Sequence, residues 1–262
     1  MRVERQEYHA ITAHTDVFVN TRLLETVVSL VDRVLVDFDI VELLTDLTRS
    51  STEILGKQTG LLVADPDSDL HLMAASSAQP GAVELFRLAA QEGPCRDCYT
   101  SGSVIGVDDV RAATDRWPRF VAAAGEFGFS SMHAVPIRGG ETVLGTLGLV
   151  SDDGGMDDAD VLMAQALARI AGMALLRQRG PDSSTAAPRL NSALAGQHAV
   201  ERAKGFLRGT LDVTPDEAFT LLRTYSREHG EYLTDLARRL VTDRLVRPAM
   251  MAEFAAMLGR NR

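Results

Sequence analysis

Two sets of side chains in this 262-residue sequence have types and spacings that can support chemistry. The first is Cys95-Arg96-Asp97-Cys98. A CxxC pair can act as a redox dithiol when a thiolate is accessible, and a neighbouring arginine favours the thiolate. These are the only cysteines, and two thiols fall short of the four ligands of a structural zinc site, so no metal is expected. The plainer reading, in which Cys95 sits in a loop beside a pocket and Cys98 is incidental, is preferred for an isolated intracellular pair. The second set lies near the C-terminus: Arg202, Lys204 and Arg208, then Arg223 and Ser226, with Gly205 among them. Cations neutralise phosphate, and glycine lets another backbone approach closely. Arginines on helices are more often a solvated face, and that reading stands beside the first. There is no P-loop, Rossmann glycine pattern, G-x-S-x-G or H-E-x-x-H, and no catalytic set is expected.

The second set needs a scaffold, and residues 197–241 supply one. Val200, Ala203 and Phe206/Leu207 recur at helical spacing and predict a first amphipathic helix. Thr214 as N-cap, Pro215 at the first helical position and Glu217 closing a capping box predict the start of a second. Its buried stripe is Ala218, Leu221/Leu222 and Tyr225, and Gly230 stops it. Leu233, Leu236/Ala237 and Leu240/Val241 define a third. One such helix is marginal alone, whereas three can bury their stripes together. The polar faces carry the basic residues.

The run Ala203-Lys204-Gly205, then Asp216-Glu217-Ala218-Phe219 with Leu222-Arg223, then Leu233 and Ala237, resembles the ANTAR domain. That family is an RNA-binding three-helix module of bacterial regulators that prevents transcription termination. The resemblance implies RNA contact by Arg202, Lys204, Gly205, Arg208, Arg223 and Ser226. The partner it implies is the hairpins of a nascent transcript. This chain departs from the family pattern at Gln197, where a basic residue is frequent, and at Gly230, where asparagine is frequent.

Charge distribution agrees with that placement. Residues 1–188 hold 15 Lys/Arg against 27 Asp/Glu, while residues 189–262 hold 12 against 9. A polyanion would therefore be bound by the C-terminal part. No uninterrupted apolar run suggests a membrane span, and the N-terminal sequence lacks the apolar core of a secretory signal. A cytoplasmic protein with no membrane partner is expected.

The rest of the chain reads as one α+β domain ahead of a Gly/Pro/Ser-rich linker over residues 180–188. Helices are predicted over 23–35, 40–55 (with Asp39 as N-cap), 82–90, 118–127 and 157–177. Strands are predicted over 60–64, 70–75, 104–107, 132–137 and 142–150, the last two joined through Gly139-Gly140. An antiparallel sheet with helices on its faces follows. Glu92-Gly93-Pro94-Cys95, Val107-Asp108-Asp109, Arg116-Trp117-Pro118, Met132-His133-Ala134-Val135-Pro136 and Gly145-Thr146-Leu147 resemble a GAF domain, in the variant joined to ANTAR domains in actinobacterial regulators. Such domains sense small molecules or serve as dimerisation platforms.

The expected organisation is an N-terminal extension and helix (1–35), a GAF sensory domain (36–179), the linker (180–188), an ANTAR domain (189–247) and a tail helix (248–262). In the tail, Met250/Met251, Phe254 and Met257/Leu258 share a face that should pack on its own domain or on a dimer partner. A ligand pocket is expected around Cys95, Tyr99, Phe120 and His133, with an unknown small molecule and no fixed cofactor. His133 should face opposite to Met132 and Ala134 on its strand. Trp117 with Phe120 reads as packing. The helices at 23–35 and 157–177 carry more apolar positions than one packing face needs, which points to a homodimer. The leading reading is a non-enzymatic regulator that binds hairpin RNA and favours antitermination under control of a sensed signal. The alternative is a redox- or ligand-sensing GAF module whose helical tail serves dimerisation or DNA binding.

Overall fold

A computed structural model describes residues 24–76, 80–178 and 186–261. The expected N-terminal segment and most of the linker, residues 1–20 and 180–185, lie outside them. The chain is helical over residues 24–35 (α1) and continues as α2 (Ile40–Leu55), β1 (Gln58–Ala64), β2 (Leu70–Ala75), α3 (Pro80–Gln91) and α4 (Pro94–Ser101). Then come β3 (Ile105–Val107), α5 (Pro118–Phe127), β4 (Ser131–Gly139), β5 (Thr142–Ser151) and α6 (Asp158–Arg177). The remainder is helical: α7 (Ala187–Leu211), α8 (Pro215–Glu228), α9 (Leu233–Thr242) and α10 (Arg247–Asn261).

Local rules account for most boundaries. Asp39 caps α2 by accepting from the backbone of Val41 (2.9 Å) and Glu42 (3.1 Å). Asp157 caps α6 through Asp160 N (2.8 Å). The Thr214–Glu217 capping box forms in both directions, at 3.2 and 2.8 Å. Gly128 ends α5 at φ 79°, a left-handed conformation that glycine adopts without strain.

The five strands form an antiparallel sheet ordered β2-β1-β5-β4-β3. Alternation along the strands sends side chains into two separate cores. Leu62, Met132, Ala134 and Val150 face α3, α4 and α5, where Phe86, Cys95 and Phe120 fill the layer. Leu61, Val135, Ile137, Leu147 and Leu149 face the other way, toward α2 and α6. Helix α6 is long and apolar enough, by length and composition, to cross a membrane, a feature the sequence reading did not register. Here Ala164, Leu167, Ala168, Ile170, Ala171, Ala174 and Leu175 are buried in the second core, as in the central helix of a globular domain.

That second core does not stop at the sheet domain. It runs through Leu190, Ala193 and Leu194 of α7 into Val200, Ala203, Leu207, Leu222, Leu236 and Leu240. The N-terminal half of α7 thus packs on the sheet domain, and its C-terminal half joins α8 and α9. One expectation changes. Helix α7 begins at Ala187, so the last residues of the expected linker are helical, with Pro188 tolerated in the first turn. The tail helix takes one of the two placements expected for it and packs on its own domain, as a fourth member of the C-terminal bundle. Met250, Phe254 and Met257 of α10 are buried, with Phe254 4.8 Å from the ring of Tyr225.

Candidate nucleic-acid interface

The basic residues divide between two helices with different surroundings. On α7, burial of Val200, Ala203 and Leu207 fixes the helix roll. Arg202, Gly205 and Arg208, at i, i+3 and i+6, are thereby left on the exposed side. Arg202 and Arg208 have no ion pair among the described residues. Apart from the local backbone of its own helix and its two chain neighbours, nothing lies within 4 Å of where a side chain on Gly205 would begin, so the backbone there is open to an approaching ligand. Lys204 lies beside this stripe, mostly covered, and bonds Glu201 at 2.8 Å. The stripe offers two free guanidinium groups on either side of bare helix backbone. Such a surface suits a phosphate chain passing across a helix.

On α8 the arginines are engaged. Burial of Ala218, Leu221, Leu222 and Tyr225 turns Arg223, Ser226 and Arg227 toward α2. Arg223 donates Nε to Glu42 (2.9 Å) and a terminal nitrogen to Asp46 (2.5 Å). Arg227 bonds Glu42 through Nε at 3.0 Å and through a second nitrogen. Asp46, only 6% exposed at its side chain, also holds Arg33 at 2.8 Å and Arg49. Ser226 is 1% exposed and donates its hydroxyl to the carbonyl of Arg223 at 2.9 Å. Ser226 therefore differs from the sequence expectation of an open contact residue. Periodicity within one helix carries no information about its neighbours: the flank of α8 that holds Arg223 and Ser226 is covered, while Asp216, Thr220 and Arg227 stay exposed.

A second polar connection lies beside this one. The carboxylate of Asp39 caps α2 and also accepts from the backbone N–H of Thr234 in the first turn of α9, at 2.8 Å. One carboxylate thus caps two helix starts, one in each part of the chain. Burial raises its pKa above the usual carboxylate value, and the three N–H donors oppose that rise. Sequence reasoning identified Asp39 only as the cap of α2, and it passed over Arg227, Glu42 and Asp46. A signal was present: Glu42 and Asp46 are four apart on one helix, Arg223 and Arg227 four apart on another, which is complementary spacing.

The expected ligand pocket does not form as one cavity. Cys95 and Phe120 are fully buried in the first core, and Tyr99 is packed against it. His133, as expected from alternation, points to the opposite side of the sheet, toward α6, so the sheet itself separates it from the other three. Its ring lies 3.3 Å from Asp108, and burial depresses its pKa while Asp108 acts against that. The segment holding the cysteines is helix α4 rather than a flexible loop. Its buried thiols are pushed up, that of Cys95 to about 12, and Arg96 turns away to bond the carbonyl of Ser68 at 2.6 Å. Thiolate chemistry is thereby disfavoured. Trp117 packs as expected, edge-on to Phe120 at 6.2 Å, with its indole N–H bonded to Asp97 at 3.1 Å.

An open cleft of about 870 Å³ runs between the β2–α3 side of the sheet domain and α7, lined by His71, Arg87, Arg96, Gln197, His198 and Glu201 among others.

The molecule thus consists of a sheet with helices on both faces, followed by a helical unit that carries an open basic stripe. The chain belongs to the GAF domain family, whose model matches residues 39–176, and residues 189–241 match the ANTAR domain, an RNA-binding class. Both are regulatory rather than catalytic domains. No curated protein matches the sequence significantly. Among solved structures, the chain is similar to the GAF domain of an Acinetobacter phosphoenolpyruvate-protein phosphotransferase (14% identity, 58% of this chain and 92% of that one, TM-score 0.46). It is also similar to the free methionine-R-sulfoxide reductase of Neisseria meningitidis (21% identity, 60% and 87%, TM-score 0.47). A third is the GAF domain region of a membrane protein from Geobacter sulfurreducens (17% identity, 52% and 93%, TM-score 0.45).

Proposed function

We propose that this protein is a cytoplasmic antitermination regulator of the actinobacterial GAF–ANTAR type, which binds stem-loops of nascent transcripts. The observation that carries the reading is the open stripe of Arg202, Gly205 and Arg208 within a domain of RNA-binding class. The two guanidinium groups neutralise backbone phosphate, and the bare backbone at Gly205 admits a splayed loop. Lys204 supplements them after exchanging Glu201 for phosphate. Arg223 and Ser226 enter the contact only when α8 leaves α2. The sheet domain receives the signal, and its shared core with α7 transmits it.

The working form is a homodimer. Helix α1 buries Leu30 and Val34 on one side and exposes Leu24, Val28 and Leu35 on another, while α6 exposes Leu162 and Met173. Such doubly apolar helices favour a second copy. A dimer places two RNA-binding stripes on one transcript, so tandem stem-loops should bind more tightly than one. Ultraviolet crosslinking of the full chain to cellular RNA, followed by mapping of both partners, tests the reading. Recovered stem-loops adjoining terminators, joined to peptides of α7, are expected. Crosslinks confined to duplex DNA, or to peptides outside residues 187–242, would overturn it.

A further inference from the structure

The two arginines of α8 are held by carboxylates that offer what phosphate offers. A carboxylate and a phosphate both present paired anionic oxygens to the fork of a guanidinium group, at similar distances and along similar directions. Arg223 meets Glu42 at 2.9 Å and Asp46 at 2.5 Å, and Arg227 meets Glu42 through two nitrogens. All four side chains stand at i, i+4 spacing on facing helices. The side chain of Arg223 is 18% exposed, against 14% for Glu42 and 6% for Asp46, so this half of the contact excludes most solvent, while Arg227 lies at its rim and is 59% exposed. On α7, Arg202 and Arg208 belong to the same helical unit, yet they are exposed and have no ion pair among the described residues.

We infer that α2 masks part of the RNA-binding face: Glu42 and Asp46 occupy on Arg223 and Arg227 the positions of RNA backbone phosphates, so docking of α8 on α2 and RNA contact by these two arginines exclude one another. This rests on the RNA-binding reading above and specifies how that face is regulated. In the masked state RNA meets only the α7 stripe. Full engagement needs α8 to separate from α2, which also asks the α9 start to leave Asp39, its neighbour in the same contact. Any signal that shifts α2 within the sheet domain then alters RNA affinity through differential stability of the two arrangements. The acidic balance of residues 1–188 acts in the same sense, since a docked sheet domain adds repulsion toward a polyanion.

Glu42→Gln is the variant of choice, because Asp46 also holds Arg33 and Arg49 and its loss would disturb the sheet domain itself. The probe is a fluorescein-labelled RNA of two tandem stem-loops, titrated into the full-length protein at several salt concentrations. The variant should bind about tenfold more tightly, within the usual span of coupling between two sites. Its salt dependence should steepen, each added phosphate contact contributing about 0.7 to the slope of log K against log salt for single strands. Equal affinity and equal slope would overturn the mask while leaving RNA binding intact. Absence of binding by both proteins at low salt would remove the RNA reading, and the mask with it. A measurement on the unmodified protein guards against a folding defect in the variant. Saturating RNA should accelerate amide hydrogen exchange in α2 near residues 42–46. Unchanged protection there, with RNA bound, would equally overturn the mask.

Discussion

Helices α7 and α8 carry arginines of the same kind in the same bundle, yet one set is open and the other is neutralised. Arg202 and Arg208 project from a helix whose other side is core. Arg223 and Arg227 project from a helix with core on one side and the carboxylates of α2 within reach of another. The lesson is that amphipathic spacing shows which side chains leave the core, and only tertiary packing decides whether they meet solvent. A charge on a polar face is a site only if no acid from elsewhere in the chain reaches it first.

Breaking the comparison on the α8 side should give the largest effect on stability. Arg223→Ala leaves Glu42 and Asp46 partly buried with fewer partners. Removing one member of a buried pair costs about 3–5 kcal/mol. Because Asp46 keeps Arg33 and Arg49, the expected loss is about 2 kcal/mol by chemical denaturation. Arg202→Ala should leave the denaturation midpoint unchanged, and an equal loss at both positions would erase the distinction between them.

Gly205→Ala sharpens the α7 side. The position is helical and open, so alanine should raise stability by up to about 1 kcal/mol through helix propensity. RNA affinity should fall several-fold if the bare backbone admits the ligand. A stabilised variant with full affinity would show that Gly205 has no part in recognition.

A smaller effect is expected from Asp39, which joins the two halves. Its pKa is raised in the folded protein, so between the unfolded and folded values the native state binds the proton more tightly. Its contribution to stability is therefore greatest in acid and declines as pH rises through the folded pKa. Denaturation at pH 4 to 7 should show this component flattened in Asp39→Asn. A profile unchanged by the substitution would show that the group is not titrating there. The smallest effect concerns the thiols. With Cys95 pushed up to about 12, folded protein at pH 8 should react with a thiol reagent only as fast as it unfolds. Rapid labelling of the native protein would restore the redox reading.

Much of this molecule was legible because its signals are local. The capping box at Thr214 and Glu217 and the cap at Asp39 each involve residues within one turn, and each is realised. So is the two-residue alternation that turns His133 away from Met132. What escaped was non-local or weakly marked. Helix α4 is short and largely polar apart from its cysteines, and its N-cap residue, Gly93, offers no side chain. Helix α7 starts without a side-chain cap, so its first turns blended into the linker. The four residues assigned to a pocket were grouped by character, whereas the sheet passes between them. The pairing of Arg223 with Glu42 spans 181 positions, beyond the reach of any periodicity.

RNA binding by this protein depends most directly on the α7 stripe. Titration of the tandem stem-loop RNA into the full-length protein and into Arg202→Glu/Arg208→Glu, at low and moderate salt, measures it. The account predicts that the double variant keeps its fold by circular dichroism and loses at least about a hundredfold in affinity, since two phosphate contacts become repulsions. Affinity within twofold of the unmodified protein at both salt concentrations would contradict it.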